Sequence, residues 1–174
     1  MNKSFIVLIT GANGAGKSSV SSAVALKTGH CALIKVDDLR RMEAGVSLKT
    51  PIQGDAAKLS TSLAIKNACA LTSNFYESGL NVVVDCVTGG EDLKQYLDLL
   101  KDKPVKVFLL LPTLEVLLKR FNERGGANDI LQKRTENLYA KFIAGKYSSD
   151  WIVIDSSNQT LEETVDTIIS KINQ

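Results

Sequence analysis

The sequence predicts a doubly wound α/β fold of three layers, in which helices cover both faces of a parallel sheet. Five short segments are apolar almost without interruption, which is typical of strands buried on both faces. These segments span 5–10, 31–36, 81–87, 105–111 and 151–155. Polar-faced segments with helical character alternate with them, at 17–28, 55–78, 91–101 and 113–124. Such alternation favours parallel strands joined by helices.

Two helices carry an apolar stripe at the i, i+3, i+4, i+7 spacing of one helix face. The stripes are Leu114, Leu117, Leu118 and Phe121 in one helix, and Val165, Ile168, Ile169 and Ile172 in the last. Thr160 followed by Glu163 predicts a capping box where the last helix begins. Pro104 and Pro112 lie on either side of the fourth strand, which fits the tendency of proline to interrupt regular secondary structure.

Length and composition indicate one globular domain over residues 1–174. The net charge is only +2 and no run of like charge occurs, so we expect no nucleic-acid partner. No apolar run is long enough for a bilayer, so we expect no membrane partner. The cysteines Cys31, Cys69 and Cys86 lack metal-ligand spacing, which predicts buried, reduced thiols in a cytoplasmic protein.

Residues 11–18 read GANGAGKS and stand between the first strand and the first helix. Glycines let successive N–H groups converge on one anion, and the helix N-terminus favours negative charge. In this pattern Lys17 reaches the outer phosphates of a nucleotide and Ser18 offers its hydroxyl to Mg²⁺. The predicted nucleotide-binding residues are Gly11, Ala12, Asn13, Gly14, Ala15, Gly16, Lys17, Ser18 and Ser19.

The segments of GTPases that read the base are absent, and the chain is short for a large motor ATPase. It resembles the small-molecule kinases with a phosphate loop: gluconate and shikimate kinases, chloramphenicol phosphotransferase and kinase-like ATP-binding proteins. The resemblance covers nearly the whole chain. It rests on GANGAGKSS, VDDLRR after the second strand, VVVD in the third, and PTLEVLLKRFNERGG after the fourth. It implies ATP, Mg²⁺, a P-loop NTPase fold with strand order 2-3-1-4-5, a helical lid at about 124–135, and an acceptor-binding region at about 37–80.

The acceptor side of the site is predicted from acids at the ends of strands. The resemblance implies that Asp37 holds the acceptor hydroxyl and takes its proton, as a carboxylate can during phosphoryl transfer. Asp38 and Arg40 are further candidates for acceptor binding. Asp85, at the end of VVVD, resembles the acid of the second nucleotide motif, which implies that it orients Mg²⁺ or its waters; contact with the acceptor is the alternative. Capping of a helix that begins at Leu39 is an alternative role for Asp37 and Asp38, and the base is open between Asp37, Asp38 and Asp85.

The last motif supplies arginines to the nucleotide. The resemblance implies that Arg120 packs near adenine and that Arg124 belongs to a lid, mobile without nucleotide, over the triphosphate. Lys133 and Arg134 begin the other side of that lid. The loop at 155–160 follows the fifth strand, where resembled folds hold adenine with backbone atoms.

The function that follows is transfer of the γ-phosphoryl group of ATP to a hydroxyl of a small metabolite or antibiotic. Lys17, Asp37 and Arg124 are the predicted catalytic residues. Two alternatives remain at this stage: a nucleoside monophosphate kinase, which usually has an arginine after the third strand where this chain has DCVTGGED, and a nucleotide-dependent binding module without transfer chemistry. The expected partner is a small-molecule acceptor, and the expected state is a monomer or homodimer.

Overall fold

The sheet is built from five parallel strands. The computed structural model describes residues 4–43, 54–125, 129–144 and 151–174. The strands are β1 Ile6–Thr10, β2 Cys31–Lys35, β3 Asn81–Asp85, β4 Val105–Leu110 and β5 Trp151–Ile154. Their order across the sheet is β2-β3-β1-β4-β5, so the predicted strand order is confirmed. Each strand lies within its predicted segment and is one or two residues shorter.

Helices follow each strand and cover both faces of the sheet. They are α1 Lys17–Thr28, α2 Val36–Arg41, α3 Gly54–Glu77, α4 Gly90–Leu99, α5 Leu114–Glu123, α6 Asp129–Ile143 and α7 Leu161–Ile172. The four helical segments with predicted bounds agree with the structure within two residues at each end. The three-layer α/β prediction is therefore confirmed for the described residues.

The start of α2 corrects one expectation. No aspartate caps a helix that begins at Leu39, because α2 already begins at Val36, directly after β2, with Lys35 as its N-cap residue. Asp37 and Asp38 lie in the first helical turn instead, where the helix dipole favours an acidic side chain. The absence of a loop between β2 and α2 ties both aspartates to the carboxyl edge of the sheet.

The core lies on both faces of the central strand β1. Ile6 and Leu8 pack with residues of α3 and α4 on one face, whereas Val7 and Ile9 pack with α1 and α7 on the other. All four side chains are fully buried, which explains why the strand reads as an uninterrupted apolar run.

Smaller features also agree with the sequence. The capping box of Thr160 and Glu163 is present at the start of α7. The cysteines are free thiols, and two of them, Cys69 and Cys86, are buried as expected, whereas Cys31 on the edge strand β2 is only partly buried. Among the described helices, none is both long enough and apolar enough to cross a lipid bilayer.

Candidate active site

The loop between β1 and α1 has one packed side and one open side. Gly14 and Gly16 both have positive φ, of 86° and 96°, which favours glycine. A Cβ on Gly14 would lie 2.5 Å from the carbonyl oxygen of Leu117 in α5, whereas a Cβ on Gly16 would have no atom within 4 Å. The loop is therefore pressed against α5 at Gly14, while the backbone at Gly16 is open to a ligand at the N-terminus of α1.

Lys17 opens α1 and carries a charge into the partly buried cleft. Its Nζ donates a hydrogen bond to the carbonyl oxygen of Ala12 at 3.2 Å. Burial lowers the pKa of Lys17 from its ordinary value, and the carboxylates of Asp85 and Asp37 oppose this shift. The charges of these two acids thus favour the charged form of the ammonium group.

Asp85 ends β3 beside the loop and is only 8% exposed. Desolvation raises the pKa of this carboxyl, while a hydrogen bond donated by the Ser18 hydroxyl and the charge of Lys17 lower it. A hydroxyl and a carboxylate side by side are hard oxygen donors of the kind that Mg²⁺ binds in phosphate sites. These residues fit Mg²⁺ held together with a nucleotide; the described residues contain no cluster of three metal-ligating side chains that would form a separate metal site.

A cavity of about 490 Å³, the main cleft, lies at the carboxyl ends of β1, β2 and β3. Its charged lining residues are Lys17, Lys35, Asp37, Asp38, Arg41, Asp85 and Arg124. The three residues predicted as catalytic therefore line one cavity together with Ser18 of the loop. Asp38 forms an ion pair with Arg41, one turn along α2.

Arg40 faces a different space from its neighbour Arg41. It lines a small cavity of about 40 Å³ between α2, α3 and α4, the side cavity, which also contains Asp37, Thr61 and Asp92 in its wall. Asp37 lines both cavities and so forms the boundary between them.

A third cavity of about 200 Å³, the rear cavity, lies behind the loop. Arg120 donates hydrogen bonds there to Ser156, at 3.0 Å to the carbonyl oxygen and at 3.4 Å to the hydroxyl. Arg124, Ser19 and Gln159 also line it. The structure thus brings Arg120 and the 155–160 loop to one cavity, as the sequence analysis expected of an adenine site.

Helix α6 contacts the phosphate loop from the other side. Asn13 Nδ2 donates to the Thr135 hydroxyl at 3.4 Å, and that hydroxyl donates to the carbonyl oxygen of Leu131 at 2.9 Å. Phe142, further along α6, is buried in the core. Part of the predicted lid, residues 126–128, lies outside the described residues; Lys133 and Arg134 are exposed on α6.

Sequence reasoning missed several residues of the main cleft, among them Lys35 and Phe121. Lys35 is the one charged residue in the apolar segment that forms β2. A charge at the end of a buried strand was the feature that could have predicted its place in the cleft. Thr10 was missed as well: its hydroxyl donates to the carbonyl oxygen of Thr88 and accepts from the Thr88 N–H, both at 3.0 Å. These bonds attach the segment after β3 to β1.

Comparison with known proteins identifies the family of this chain. Residues 6–145 match the family model AAA_33, described as an AAA domain. The chain belongs to this family. A comparison with curated protein sequences gives no significant match.

The fold of the AAA_33 chain recurs in solved structures of similar length. A tunicamycin resistance protein from Deinococcus radiodurans is 19% identical, with a TM-score of 0.71, over 97% of this chain and 95% of that one. A gluconokinase from Sinorhizobium meliloti is 19% identical, with a TM-score of 0.68, over 99% and 94%. A sugar kinase from Janibacter is 17% identical, with a TM-score of 0.69, over 98% and 95%. The P-loop NTPase fold is confirmed, and the expected likeness to the small-molecule kinase group is confirmed at the level of fold.

Alanine substitutions at Gly14 and Gly16 should separate packing from ligand binding. Both changes place a Cβ on backbone with positive φ, so the conformational strain is shared. Gly14→Ala adds a clash with α5, and we expect it to lower the free energy of unfolding by about 1–3 kcal/mol more than Gly16→Ala does. Urea denaturation measures this difference.

The affinity of the folded protein for nucleotide should show the opposite order: Gly16→Ala should bind more weakly than Gly14→Ala. Gly16→Ala should weaken the affinity for an ATP analogue, measured by calorimetry, because its Cβ occupies the open side. Equal stability of the two variants would contradict the close packing of the loop on α5.

Proposed function

We propose that this AAA_33 protein is an ATP-dependent phosphotransferase that moves the γ-phosphoryl group to a hydroxyl of a small molecule. One observation carries the proposal: Lys17 of the phosphate loop and Asp37 of α2 line the same cleft. A nucleotide-binding module has no need of a carboxylate opposite its phosphate loop, whereas a kinase uses one for the acceptor.

The nucleotide would span two cavities. The N–H groups of the loop and the N-terminus of α1 offer donors to the triphosphate, and Lys17 adds a full charge. The rear cavity, with Arg120 over the loop after β5, suits the base, since a guanidinium stacks on a ring plane. Arg124 lines both the main cleft and the rear cavity, which suits a residue that contacts phosphates between base and acceptor.

Ser18 and Asp85 are the residues that would hold Mg²⁺. When bound, the ion would neutralise charge on the phosphate oxygens as transfer proceeds. Both side chains line the main cleft, so their oxygens lie near the same space. Asp85 is buried, so its charge would act on the ion with less screening than in bulk water.

Asp37 would align the acceptor and accept its proton. Its place in the first turn of α2, directly after β2, fixes the carboxylate at the edge of the sheet. Both aspartates are exposed, but Asp38 is paired with Arg41, whereas Asp37 has no ion pair with any described residue and is the carboxylate available to the acceptor. A positioned acid–base group of this kind contributes about 10²–10⁴ in rate.

Lys17→Ala should remove most phosphoryl transfer while the protein stays folded, because Lys17 faces the cleft and not the core. The measurement is ATP turnover with a panel of sugars, shikimate-like acids, antibiotics and nucleosides. Lys27→Ala is the matched control: it lies on the same helix, and its surface ion pair with Asp166 contributes little. Ordinary turnover by folded Lys17→Ala protein would contradict the nucleotide site.

Asp37→Asn should leave ATP affinity nearly unchanged and reduce transfer by about 10²–10⁴. Asparagine keeps the size and one acceptor oxygen but cannot take a proton. The comparison variant is Asp38→Asn, whose loss of an exposed ion pair should change turnover little. Full activity of Asp37→Asn would move the base to Asp38 or Asp85. A wild type inactive on every acceptor would favour the binding module.

An ATP analogue should protect the predicted lid from amide hydrogen exchange. We expect slower exchange at Arg124, Gly125 and residues 129–135, because Arg124 lines the cleft in which the triphosphate would lie and α6 contacts the loop through Asn13. Residues 93–99 of α4 are the internal control and should not change. Unaltered exchange at 129–135 under saturation would show that this segment is not a lid.

A further inference from the structure

The side cavity adjoins the main cleft at the residue proposed to hold the acceptor. Asp37 and Val87 line both spaces. A molecule whose hydroxyl lies against Asp37 therefore has a neighbouring substituent within reach of the side cavity. The cavity of about 40 Å³ accommodates a small group, since one water needs about 10–15 Å³.

The walls of the side cavity present a donor and an acceptor that do not satisfy each other. The Nε of Arg40 is buried and has no hydrogen-bond partner among the residues that the structure describes. Asp92, on the first turn of α4, lines the same cavity and is otherwise exposed to solvent. Neither residue takes part in any ion pair between described residues, although the two charges act on each other electrostatically. A buried donor without a partner costs free energy, so a ligand that accepts from it is favoured.

We propose that the side cavity selects an acceptor with an uncharged, hydroxyl-bearing substituent next to the phosphorylated hydroxyl, bridging Arg40 and Asp92. A hydroxyl both accepts and donates, so one or two neighbouring hydroxyls satisfy the Arg40 N–H and the Asp92 carboxylate together. This inference rests on the proposed function and names the substrate class as polyhydroxylated and neutral at this position.

Charged substituents are disfavoured for opposite reasons. A carboxylate or phosphate would accept from Arg40 but would meet the Asp92 carboxylate, and an ammonium group would meet Arg40. Like charges brought together in a binding site lower the affinity, whereas complementary charges raise it. Arg40 and Asp92 thus present one positive and one negative charge to the side cavity, so the cavity is not a simple anion-binding site.

The test uses three compounds with one carbon skeleton: glycerol, glycerate and 3-aminopropane-1,2-diol. Each is titrated into the whole protein, saturated with Mg²⁺ and a non-hydrolysable ATP analogue, and the amide signals of Arg40, Thr61 and Asp92 are followed by NMR. We expect glycerol to shift these signals with an apparent affinity about tenfold or more above that of either charged compound.

Two variants make the charge argument specific. Asp92→Asn should raise the affinity for glycerate relative to glycerol by about tenfold, and Arg40→Gln should do the same for the amine. Asp98→Asn is the matched control: it makes the same change of charge on exposed α4 surface outside the cavity, and the order of the three compounds should not change.

The outcomes separate this inference from the proposed function. Shifts of the Lys17 and Gly16 amides on adding the ATP analogue test the nucleotide site and do not depend on the side cavity. The inference is overturned if glycerate binds as well as glycerol in the wild type, if Asp92→Asn leaves the preference unchanged, or if no compound shifts the three amides. The proposed function fails instead if the analogue binds nowhere near the loop.

Discussion

Parallel pairing of β1 with β3 is the constraint on which the site depends. The register sets Ile9 opposite Asp85, so the last residue of β3 lies beside the last residues of β1, where the phosphate loop begins. Backbone hydrogen bonds of the sheet determine this alignment, and the Thr10–Thr88 pair extends it beyond the strands. A shift of one residue would turn the Asp85 side chain to the opposite face of the sheet, away from Ser18.

Charge balance in the main cleft follows from this alignment. Lys17 and Asp85 each have a pKa displaced by burial towards the neutral form, and each opposes the displacement of the other. Asp37 adds a second carboxylate near the same ammonium group. Charges held in a poorly solvated cleft act strongly on a bound anion or metal ion, since the effective dielectric constant is lower than in water. In the proposed kinase, these cationic groups would bind phosphate, and these acids would serve a metal ion and an acceptor.

The phosphate loop owes its position to the helices that follow β4 as much as to its glycines. Gly14 lies against the backbone of α5, and Asn13 bonds to Thr135 of α6. Helix α5 also supplies Arg120 to the rear cavity, and Arg124 follows directly after its last turn. A movement of α5 or α6 would consequently be transmitted to the loop, which links the predicted lid to the nucleotide site by direct contact.

Local patterns in the sequence determined the phosphate loop, the five strands, the bounds of four helices and the capping box at Thr160, because each depends on residues close together in the chain. Continuous apolar runs identified the buried strands, and the acids at strand ends indicated which edge of the sheet carries the chemistry. Tertiary structure alone decided what depends on direction and on distant neighbours. Arg40 and Arg41 look equivalent in sequence, yet successive helical residues point about 100° apart, so one faces the side cavity and the other the main cleft. The contact of Asn13 with Thr135 joins residues 122 positions apart. That Arg40 and Asp92 line one cavity likewise depends on how α2 and α4 pack around α3, and no local pattern encodes that packing.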